Sequence, residues 1–531
     1  MKYHLRSLVL FLQLIMMAIA AQSAQNFIYC SEGSPATFNP QLASDSVSMN
    51  ASSQTLFNRL VEFKKGTTEI VPGLADSWTV SKDKKTYTFK LQKNVPFHSN
   101  EFFKPTRFLN ADDVVYTFKS QMDTKHPLSI PAANYEYFKA MELDQLIADV
   151  KKTDDTTVVF ELKRPEAPFL ANLAMDFASI LSAEYAQQLV KSAKGLKTLE
   201  THPIGTGPFV FKSYQKDSTI RYTAFDQYFK GKQKIENLIF VIVPDSTVRT
   251  QKMKSGECHV MSEPQPQDIE ALSKDSKLKV LSTEGLNVSY IAFNTSKKPF
   301  DNLKIRQALV MSMNQKSYLD VIYKAQGVMA KNPIPPTMWS YRKSTELQQY
   351  NIEQAKKLLT EAGYKDGFET EMWTLPVSRP YLPNGKKLGE MVQADLAKIG
   401  VKVKLVTFDW PTYLEKSKKG EHQMIQFGWV GDNGDPDNFL NVLLGCSAVQ
   451  AGSNYARWCD KEFDGLLQKA KEDSAQAKRS VFYEKAQAIF NQQKPWFLIA
   501  HAKQNKVMSD KVIGYKIDPF GHDQFEGVSL K

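Results

Sequence analysis

The 531-residue sequence has little that could hold it in a membrane. Beyond residue 24, no stretch approaches the ~18 uninterrupted apolar residues that a membrane-spanning helix requires. The apolar run at residues 7–20 is shorter, follows the basic residues Lys2 and Arg6, and leads into small residues. That order is typical of a cleavable secretory signal. We therefore expect residues 1–24 to be removed and the mature chain to be exported to the periplasm.

Catalytic and metal-binding motifs are also missing. The sequence has no H-E-x-x-H, G-x-S-x-G, G-x-x-x-x-G-K-[ST] or G-x-G-x-x-G pattern. Its eight histidines include no pair spaced three or four residues apart, as two metal ligands on one helix face would be. The loop DNGDPDN resembles a calcium loop but has glycine at position three and no glutamate at position twelve. We expect no catalytic residue, no metal and no cofactor.

Clustered positive charge is missing too. The formal net charge of +11 falls to +9 when Lys2 and Arg6 leave with the signal, and the remaining Lys and Arg residues are scattered among Asp and Glu. Without an arginine-rich arm, an exported chain is not expected to bind nucleic acid. A solvated basic surface explains this charge, with weak attraction to acidic membrane faces as the alternative.

Cysteine is scarce, and four cysteines in an oxidising compartment allow three pairings. Cys446 and Cys459 are thirteen residues apart and flank SAVQAGSNYARW, which is typical of a loop. We therefore pair these two, which leaves Cys30 with Cys258. A zinc site is the alternative, although no C-x-x-C spacing supports it.

The pattern of apolar residues indicates an α/β protein. Residues 86–91 alternate as a strand does, and residues 238–243 are continuously apolar. Residues 351–363 have a capping residue, an apolar stripe and a terminal glycine, which predict a helix. A helix at 388–399, a glycine stop and a strand at 401–406 follow one another, as in an α/β lobe. With about 505 residues after processing, two or more domains are expected.

Arg379 and the acidic stretch GDNGDPDNF from Gly431 lie on either side of this helix–strand unit. Ligands of open α/β sheets bind at the loops beyond the ends of the strands. One lobe can therefore present a fixed cation and a fixed anion to the same ligand. From residue types alone, Arg379 could equally form a surface ion pair and Asp432 could be a turn residue.

A family resemblance extends over nearly the whole mature chain. It is carried by these stretches: YCSEGSPATFNPQ (from Tyr29), LFNRLVEFKKGTTEIVPGLADSW (from Leu56), TYTFKLQKNVPFH (from Thr86), LNADDVVYTF (from Leu109), PIGTGPF (from Pro203), IRQAL (from Ile305), IPPTMW (from Ile334) and GWVGDNGDPDNF (from Gly428). In these stretches the sequence resembles the solute-binding proteins of peptide ABC transporters (family 5), and within that family its dipeptide-binding branch.

The resemblance implies an α/β, two-lobed periplasmic binding protein fold of the large peptide-binding type, closing over its ligand by a hinge. Residues 25–284 and 503–531 would form lobe I, with an additional subdomain at approximately 57–206. Residues 285–502 would form lobe II and carry the main ligand anchors. The resemblance also implies the disulfides Cys30–Cys258 and Cys446–Cys459.

Residue by residue, the family's ammonium-binding aspartate falls on Asp432, and the dipeptide binder's carboxylate-binding arginine falls on Arg379. A buried terminal charge costs several kcal/mol unless it is paired, and arginine can grip a carboxylate with two parallel hydrogen bonds. Trp410 would offer an apolar wall, unless it is only core packing. Gly33 and Ser44, in the first loop of lobe I, would contact the ligand across the cleft.

The function implied is capture of zwitterionic dipeptides and their delivery to an inner-membrane ABC permease by a monomeric protein. The sequence leaves other ligands open, namely oligopeptides, δ-aminolevulinate and haem. A chemotaxis adaptor that docks on a chemoreceptor, or a folding chaperone, is a further alternative. A periplasmic peptidase would require a nucleophile or a metal, and the sequence contains no motif for either.

Overall fold

The computed structural model describes residues 26–531. The predicted signal peptide lies outside these residues. Within residues 26–531, no helix is both long and apolar enough to cross a membrane.

Helices and strands are distributed over the whole described chain. The strands are β1 (Asn26–Ser31), β2 (Val61–Phe63), β3 (Ile70–Pro72), β4 (Ala75–Val80), β5 (Thr86–Leu91), β6 (Ile147–Asp154), β7 (Thr157–Leu162), β8 (Phe209–Gln215), β9 (Thr219–Ala224), β10 (Asn237–Ile242), β11 (Val260–Met261), β12 (Leu278–Glu284), β13 (Asn287–Phe293), β14 (Gly327–Met329), β15 (Glu369–Trp373), β16 (Lys402–Val406), β17 (Met424–Val430), β18 (Trp496–Ser509), β19 (Val512–Ile513) and β20 (Ser529–Leu530). The α-helices are α1 (Ser46–Ala51), α2 (Ser53–Leu56), α3 (Ala111–Met122), α4 (Glu136–Ala140), α5 (Leu143–Leu146), α6 (Phe169–Leu173), α7 (Ala183–Lys191), α8 (Ser246–Ser255), α9 (Ile269–Ser273), α10 (Leu303–Ser312), α11 (Gln315–Tyr318), α12 (Ile352–Glu361), α13 (Gly385–Ala397), α14 (Trp410–Lys418), α15 (Asp437–Leu444), α16 (Cys446–Ala451), α17 (Lys461–Glu472) and α18 (Gln476–Gln493).

A twelve-stranded sheet forms the framework, in the order β16-β15-β17-β13-β18-β11-β1-β10-β9-β8, with β12 and β14 also paired to β18. The long strand β18 changes partners along its length. Up to Ala502 it pairs with β13 and β14, and from Lys503 onward it pairs with β12 and β11. One continuous strand therefore belongs to both halves of the sheet.

A separate four-stranded antiparallel sheet, in the order β4-β5-β7-β6, lies in the region predicted as the additional subdomain. Helix α3 packs against β6 and β7 of this sheet. The pairs β2–β3 and β19–β20 form small two-stranded sheets of their own.

The elements predicted from periodicity are present, with shifted ends. The helix predicted at 351–363 spans Ile352–Glu361, and the Asn351 side chain accepts a hydrogen bond from the Gln354 N–H at 2.9 Å. The helix predicted from residue 388 begins earlier, at Gly385, because Asn384 caps it by accepting a hydrogen bond from the Lys387 N–H at 2.9 Å. The apolar stripe begins only at Leu388, so the sequence pattern predicted the start of this helix too late in the chain.

Both predicted disulfides are present and no described cysteine is free. Cys30 and Cys258 have their Cα atoms 5.8 Å apart, next to the neighbouring parallel strands β1 and β11. Cys446 and Cys459 have their Cα atoms 4.7 Å apart. Because all four sulfur atoms are oxidised in pairs, the zinc alternative is wrong.

Candidate functional site

Three neighbouring parallel strands end at the same edge of the large sheet. Strand β15 pairs in parallel with both β16 and β17. Arg379 follows β15, Trp410 follows β16, and Asp432 follows β17. The carboxyl ends of parallel strands meet at one edge, where open α/β sheets bind their ligands. The fold thus brings these three predicted residues to one edge, although 53 positions separate Arg379 from Asp432 in sequence.

Asp432 is half-buried. Its side chain accepts hydrogen bonds from its own loop and from the region 57–206. The Tyr137 hydroxyl donates to its Oδ1 atom at 3.0 Å, and the Asn438 side-chain amide donates to its Oδ2 atom at 3.3 Å. Its backbone N–H donates to Asn438 Oδ1 at 3.0 Å. Burial raises the pKa of the Asp432 carboxyl to about 7, and these two side-chain hydrogen bonds offset only part of that rise. Such a carboxyl is well placed to accept a cationic partner.

Arg379 lies in a tight turn in which its backbone exchanges two hydrogen bonds with Leu382, at 3.1 and 3.0 Å. Its guanidinium carbon lies 4.1 Å from the centre of the Trp410 ring. Among residues 26–531, no carboxylate lies within salt-bridge distance of this guanidinium. The surface ion pair considered from sequence is therefore not what holds Arg379. Its hydrogen-bonding fork remains open to a ligand.

Trp410 is half-buried at the start of α14, where Asp409 caps the helix by accepting a hydrogen bond from the Thr412 N–H. Its ring lies 5.9 Å from that of Tyr413 and 6.2 Å from that of Phe427, between ring centres. Trp410 thus joins the aromatic core of this lobe to the guanidinium of Arg379. Trp410 therefore both packs in the aromatic core and orients the Arg379 guanidinium.

Gly33 and Ser44 lie between β1 and α1, in the other half of the large sheet. The Gly33 carbonyl accepts a hydrogen bond from the Ser31 hydroxyl at 3.2 Å, and Ser44 is exposed. Within the described chain, no hydrogen bond joins either residue to Asp432 or Arg379.

Tyr137 and Asn438 hydrogen-bond Asp432, but no sequence motif predicted them as candidate site residues. Asn438 belongs to the acidic stretch that carries the family resemblance and could have been found there. Tyr137 lies on α4, 295 positions from Asp432. No local pattern marks such a residue, because only the packing of the region 57–206 against lobe II brings it to the site.

A small cavity of about 40 Å³ lies beside Arg379. Its lining includes Glu263, Gln265, and Lys503 and Asn505 of β18.

The buried histidines have structural roles. His98, His422 and His501 each hydrogen-bond a backbone carbonyl, of Gly207, Tyr455 and Asn287 respectively. Burial lowers the pKa of each imidazole to about 4, so they are neutral at physiological pH. Within the described part of the chain, no group of three or more His, Cys, Asp or Glu side chains could hold a metal ion.

Two α/β halves joined by a shared strand, with a cation and an anion at neighbouring strand ends, define a two-lobed solute-binding protein. Comparisons with known proteins agree. The family described as bacterial extracellular solute-binding proteins, family 5 (middle region), matches residues 69–451. The "Dipeptide-binding protein" of Escherichia coli (strain K12) is 49% identical over 522 residues, covering 98% of this chain and 97% of that protein. The "Heme-binding protein A" of Haemophilus influenzae is 47% identical over 513 residues, covering 96% and 93%.

A solved structure agrees as well. The crystal structure of a dipeptide-binding protein from Pseudoalteromonas sp. SM9913 in complex with Met-Leu superposes with a TM-score of 0.89 at 38% identity, covering 96% of this chain and all of that one. The chain belongs to family 5 of the bacterial extracellular solute-binding proteins. This is a family of non-enzymatic, substrate-binding transport components with the two-lobed fold, as the sequence predicted.

Proposed function

We propose that this protein is the periplasmic substrate-binding component of an ABC transporter for dipeptides. One observation carries the proposal: Asp432 and Arg379, with opposite charges, follow the carboxyl ends of adjacent parallel strands of one lobe. A relative named as a dipeptide-binding protein and another solved in complex with Met-Leu support the same assignment.

The two charges would act as a ruler for ligand length. Asp432 would accept hydrogen bonds from the peptide ammonium, and Arg379 would grip the terminal carboxylate through its planar fork. A dipeptide then satisfies both anchors at a fixed separation. A single amino acid cannot reach both, and a tripeptide overshoots.

The remaining predicted contacts would complete the pocket. Trp410 would hold the Arg379 fork in place and offer an apolar face to varied side chains. Gly33 and Ser44 would reach the ligand from lobe I when the lobes are shut. Tyr137, which already donates a hydrogen bond to Asp432, joins this list of proposed ligand contacts.

Binding would shift a hinge equilibrium toward a closed form that the inner-membrane permease recognises. We place the hinge where lobe I (residues 25–284 and 503–531, with the subdomain at approximately 57–206) meets lobe II (residues 285–502). The change of partners along β18, between Ala502 and Lys503, supports this boundary. We also propose that residues 1–24 are a cleaved signal and that the mature protein is a periplasmic monomer.

Calorimetry of the mature protein with a matched ligand set tests the proposal. The set is Ala-Ala, Ala, Ala-Ala-Ala, δ-aminolevulinate and amide-capped Ala-Ala. Tight binding of free Ala-Ala alone is the expected result. Equal or tighter binding of the longer or capped ligands would show that Arg379 does not read a carboxylate. The ligand recovered after incubation should be intact by mass spectrometry.

Haem is a second candidate ligand, because the relative named "Heme-binding protein A" is about as similar as the dipeptide binders. Titration of haem, followed by its absorbance, tests this alternative. Competition between haem and Ala-Ala would place both at one site. Pull-down of the liganded protein with a chemoreceptor tests the adaptor hypothesis.

A further inference from the structure

The second half of the acidic loop turns away from the proposed ligand site and faces buried charges. Arg479 on α18 donates to Asp435 Oδ1 at 2.8 Å. Asp437, at the start of α15, is buried, and its Oδ1 atom has no hydrogen-bond partner. The ammonium of Lys471 on α17 acts on Asp437 and lowers the pKa of its carboxyl, but burial raises that pKa by more. One loop therefore carries a ligand anchor at one end and a buried ionic cluster at the other.

The region 57–206 supplies the other side of this cluster. Lys471 Nζ donates to Glu142 Oε2 at 2.9 Å, and the Ala167 N–H donates to the Lys471 carbonyl at 2.7 Å. Arg164 Nη2 lies 3.1 Å from Glu142 Oε2 and 3.3 Å from Glu166 Oε2. The side chains of Lys471 and Glu166 are only 1% and 3% exposed. The cluster thus forms where the subdomain meets lobe II.

The charges of this cluster do not balance. It contains four carboxyl groups and three cations: Glu142, Glu166, Asp435, Asp437, Arg164, Lys471 and Arg479. Two tyrosines also face it. Tyr483 donates to Asp435 Oδ1 at 3.4 Å and Tyr87 donates to the Glu166 carbonyl at 3.4 Å, and burial raises the pKa of both hydroxyls, so they stay neutral.

One excess negative charge in a buried cluster is strongly unfavourable unless a proton neutralises it. Asp437 Oδ1 has no hydrogen-bond partner, and Glu166 Oε2 has only its ion-pair contact with Arg164, so these two atoms are the places where that proton can reside. Burial raises the pKa of both carboxyls above the usual range, whereas Lys471 and Arg164 hold the pKa of Glu142 below it.

We propose that this cluster is a proton-linked latch: closing the subdomain onto lobe II takes up one proton, shared between Glu166 and Asp437. The packing of the same interface supports a latch. Asn433 donates to Asn172 Oδ1 at 2.9 Å across it. A Cβ atom on Gly434 would lie 2.4 Å from that of Thr68. The inference goes beyond dipeptide capture, because it concerns the closing of the lobes and requires no ligand.

The direction of the pH dependence of closing follows from proton linkage. In the open form the two carboxyls face solvent, with ordinary pKa values near 4, and in the closed form burial raises them. The contribution of the latch to closing is fully present below the open-form pKa. It is lost as the pH rises through the raised closed-form pKa of the pair, which burial moves well above the open-form range. One proton changes the closing equilibrium by up to about tenfold for each pH unit.

Small-angle X-ray scattering of the ligand-free mature protein between pH 5.5 and 8.5 measures the closed fraction. Asp432 also lies at this interface and has a raised pKa, so each protein is compared with and without Asp432→Asn. We expect the closed fraction to fall with rising pH in the parent and in Asp432→Asn. Glu166→Gln, which mimics the protonated carboxyl, should flatten this dependence in the Asp432→Asn background.

Glu136→Gln is the matched control. Glu136 pairs with Lys418 across the same interface at 2.8 Å, but both side chains are about half-exposed, so the pH dependence should stay. Asp437→Asn is the second variant and should also flatten the pH dependence. It replaces Glu166→Gln if circular dichroism shows that Glu166→Gln does not fold. A parent protein with no pH dependence, or a folded Glu166→Gln variant that keeps the parent's slope, would overturn the latch. Because no ligand is present, a failure of dipeptide binding leaves this result intact.

Discussion

Asp432 and Arg379 carry opposite charges at neighbouring strand ends, but the structure holds them in different ways. Asp432 accepts hydrogen bonds from Asn438 of its own loop and from Tyr137 of the region 57–206. Arg379 rests on the ring of Trp410, within lobe II alone. The surroundings of the anionic anchor are therefore complete only when the lobes meet, whereas the cationic anchor is oriented before they do. If both residues bind a peptide as proposed, its carboxylate end would be bound first and its ammonium end would be bound as the lobes close.

The largest loss is expected for Asp432→Ala. A bound peptide ammonium would be left buried without its counter-charge, which costs about 3–5 kcal/mol. Calorimetry with Ala-Ala should therefore show a loss of more than a hundredfold in affinity. Asp366→Ala, which removes an exposed carboxylate of the same lobe, is the control and should bind normally. If Asp432→Ala binds Ala-Ala with an affinity within threefold of the parent, Asp432 is not a ligand-binding residue.

Arg379→Ala should cost somewhat less, about 2–3 kcal/mol, because Arg379 is half-exposed and water can replace part of its contact. Selectivity gives the sharper measurement. The parent should prefer free Ala-Ala to its amide-capped form, and Arg379→Ala should lose this preference. Arg379→Lys keeps the charge without the fork and should fall between the two. A preference that persists in Arg379→Ala would show that another residue reads the carboxylate.

Trp410→Ala is expected to cost about 1 kcal/mol, the usual size of a cation–π contact. If Trp410 positions Arg379, the loss should be equal for Ala-Ala and Ala-Phe and should vanish for capped ligands. A loss that depends on the ligand's side chain would indicate an apolar wall instead. Trp410→Phe keeps an aromatic face and should recover part of the affinity.

Tyr137→Phe should have the smallest effect, about 1 kcal/mol or less at pH 8. The Tyr137 hydroxyl stabilises the ionised Asp432 carboxylate and lowers its pKa, so its removal should raise that pKa further. Since an ammonium pairs only with the ionised form, the loss of affinity should be greater at pH 6 than at pH 8. A loss of equal size at both pH values would separate Tyr137 from the ionisation of Asp432.

Local patterns were sufficient to predict the elements but not their arrangement. The capping at Asn351 and the helix–glycine–strand succession before β16 could be predicted because neighbouring residues determine them. The placement of β15 between β16 and β17 could not, because strand pairing joins distant segments.

The same limit applies to the site. Arg379 and Asp432 could be proposed because their motifs are local and their charges suit a zwitterion. Tyr137 and Glu142 could not, because their contacts with Asp432 and Lys471 join positions 295 and 329 residues apart. No helical or strand period extends over such distances.

The sharing of β18 also determines when the protein can fold. This strand begins at Trp496, so synthesis from the amino terminus must pass nearly the whole chain before either half of the large sheet can be completed. Until then β13 and β11 are open edges, and β12 and β14 have no strand to pair with. Open strand edges are templates for aggregation. A chain that lacks its last 36 residues therefore exposes strand edges that the complete protein covers.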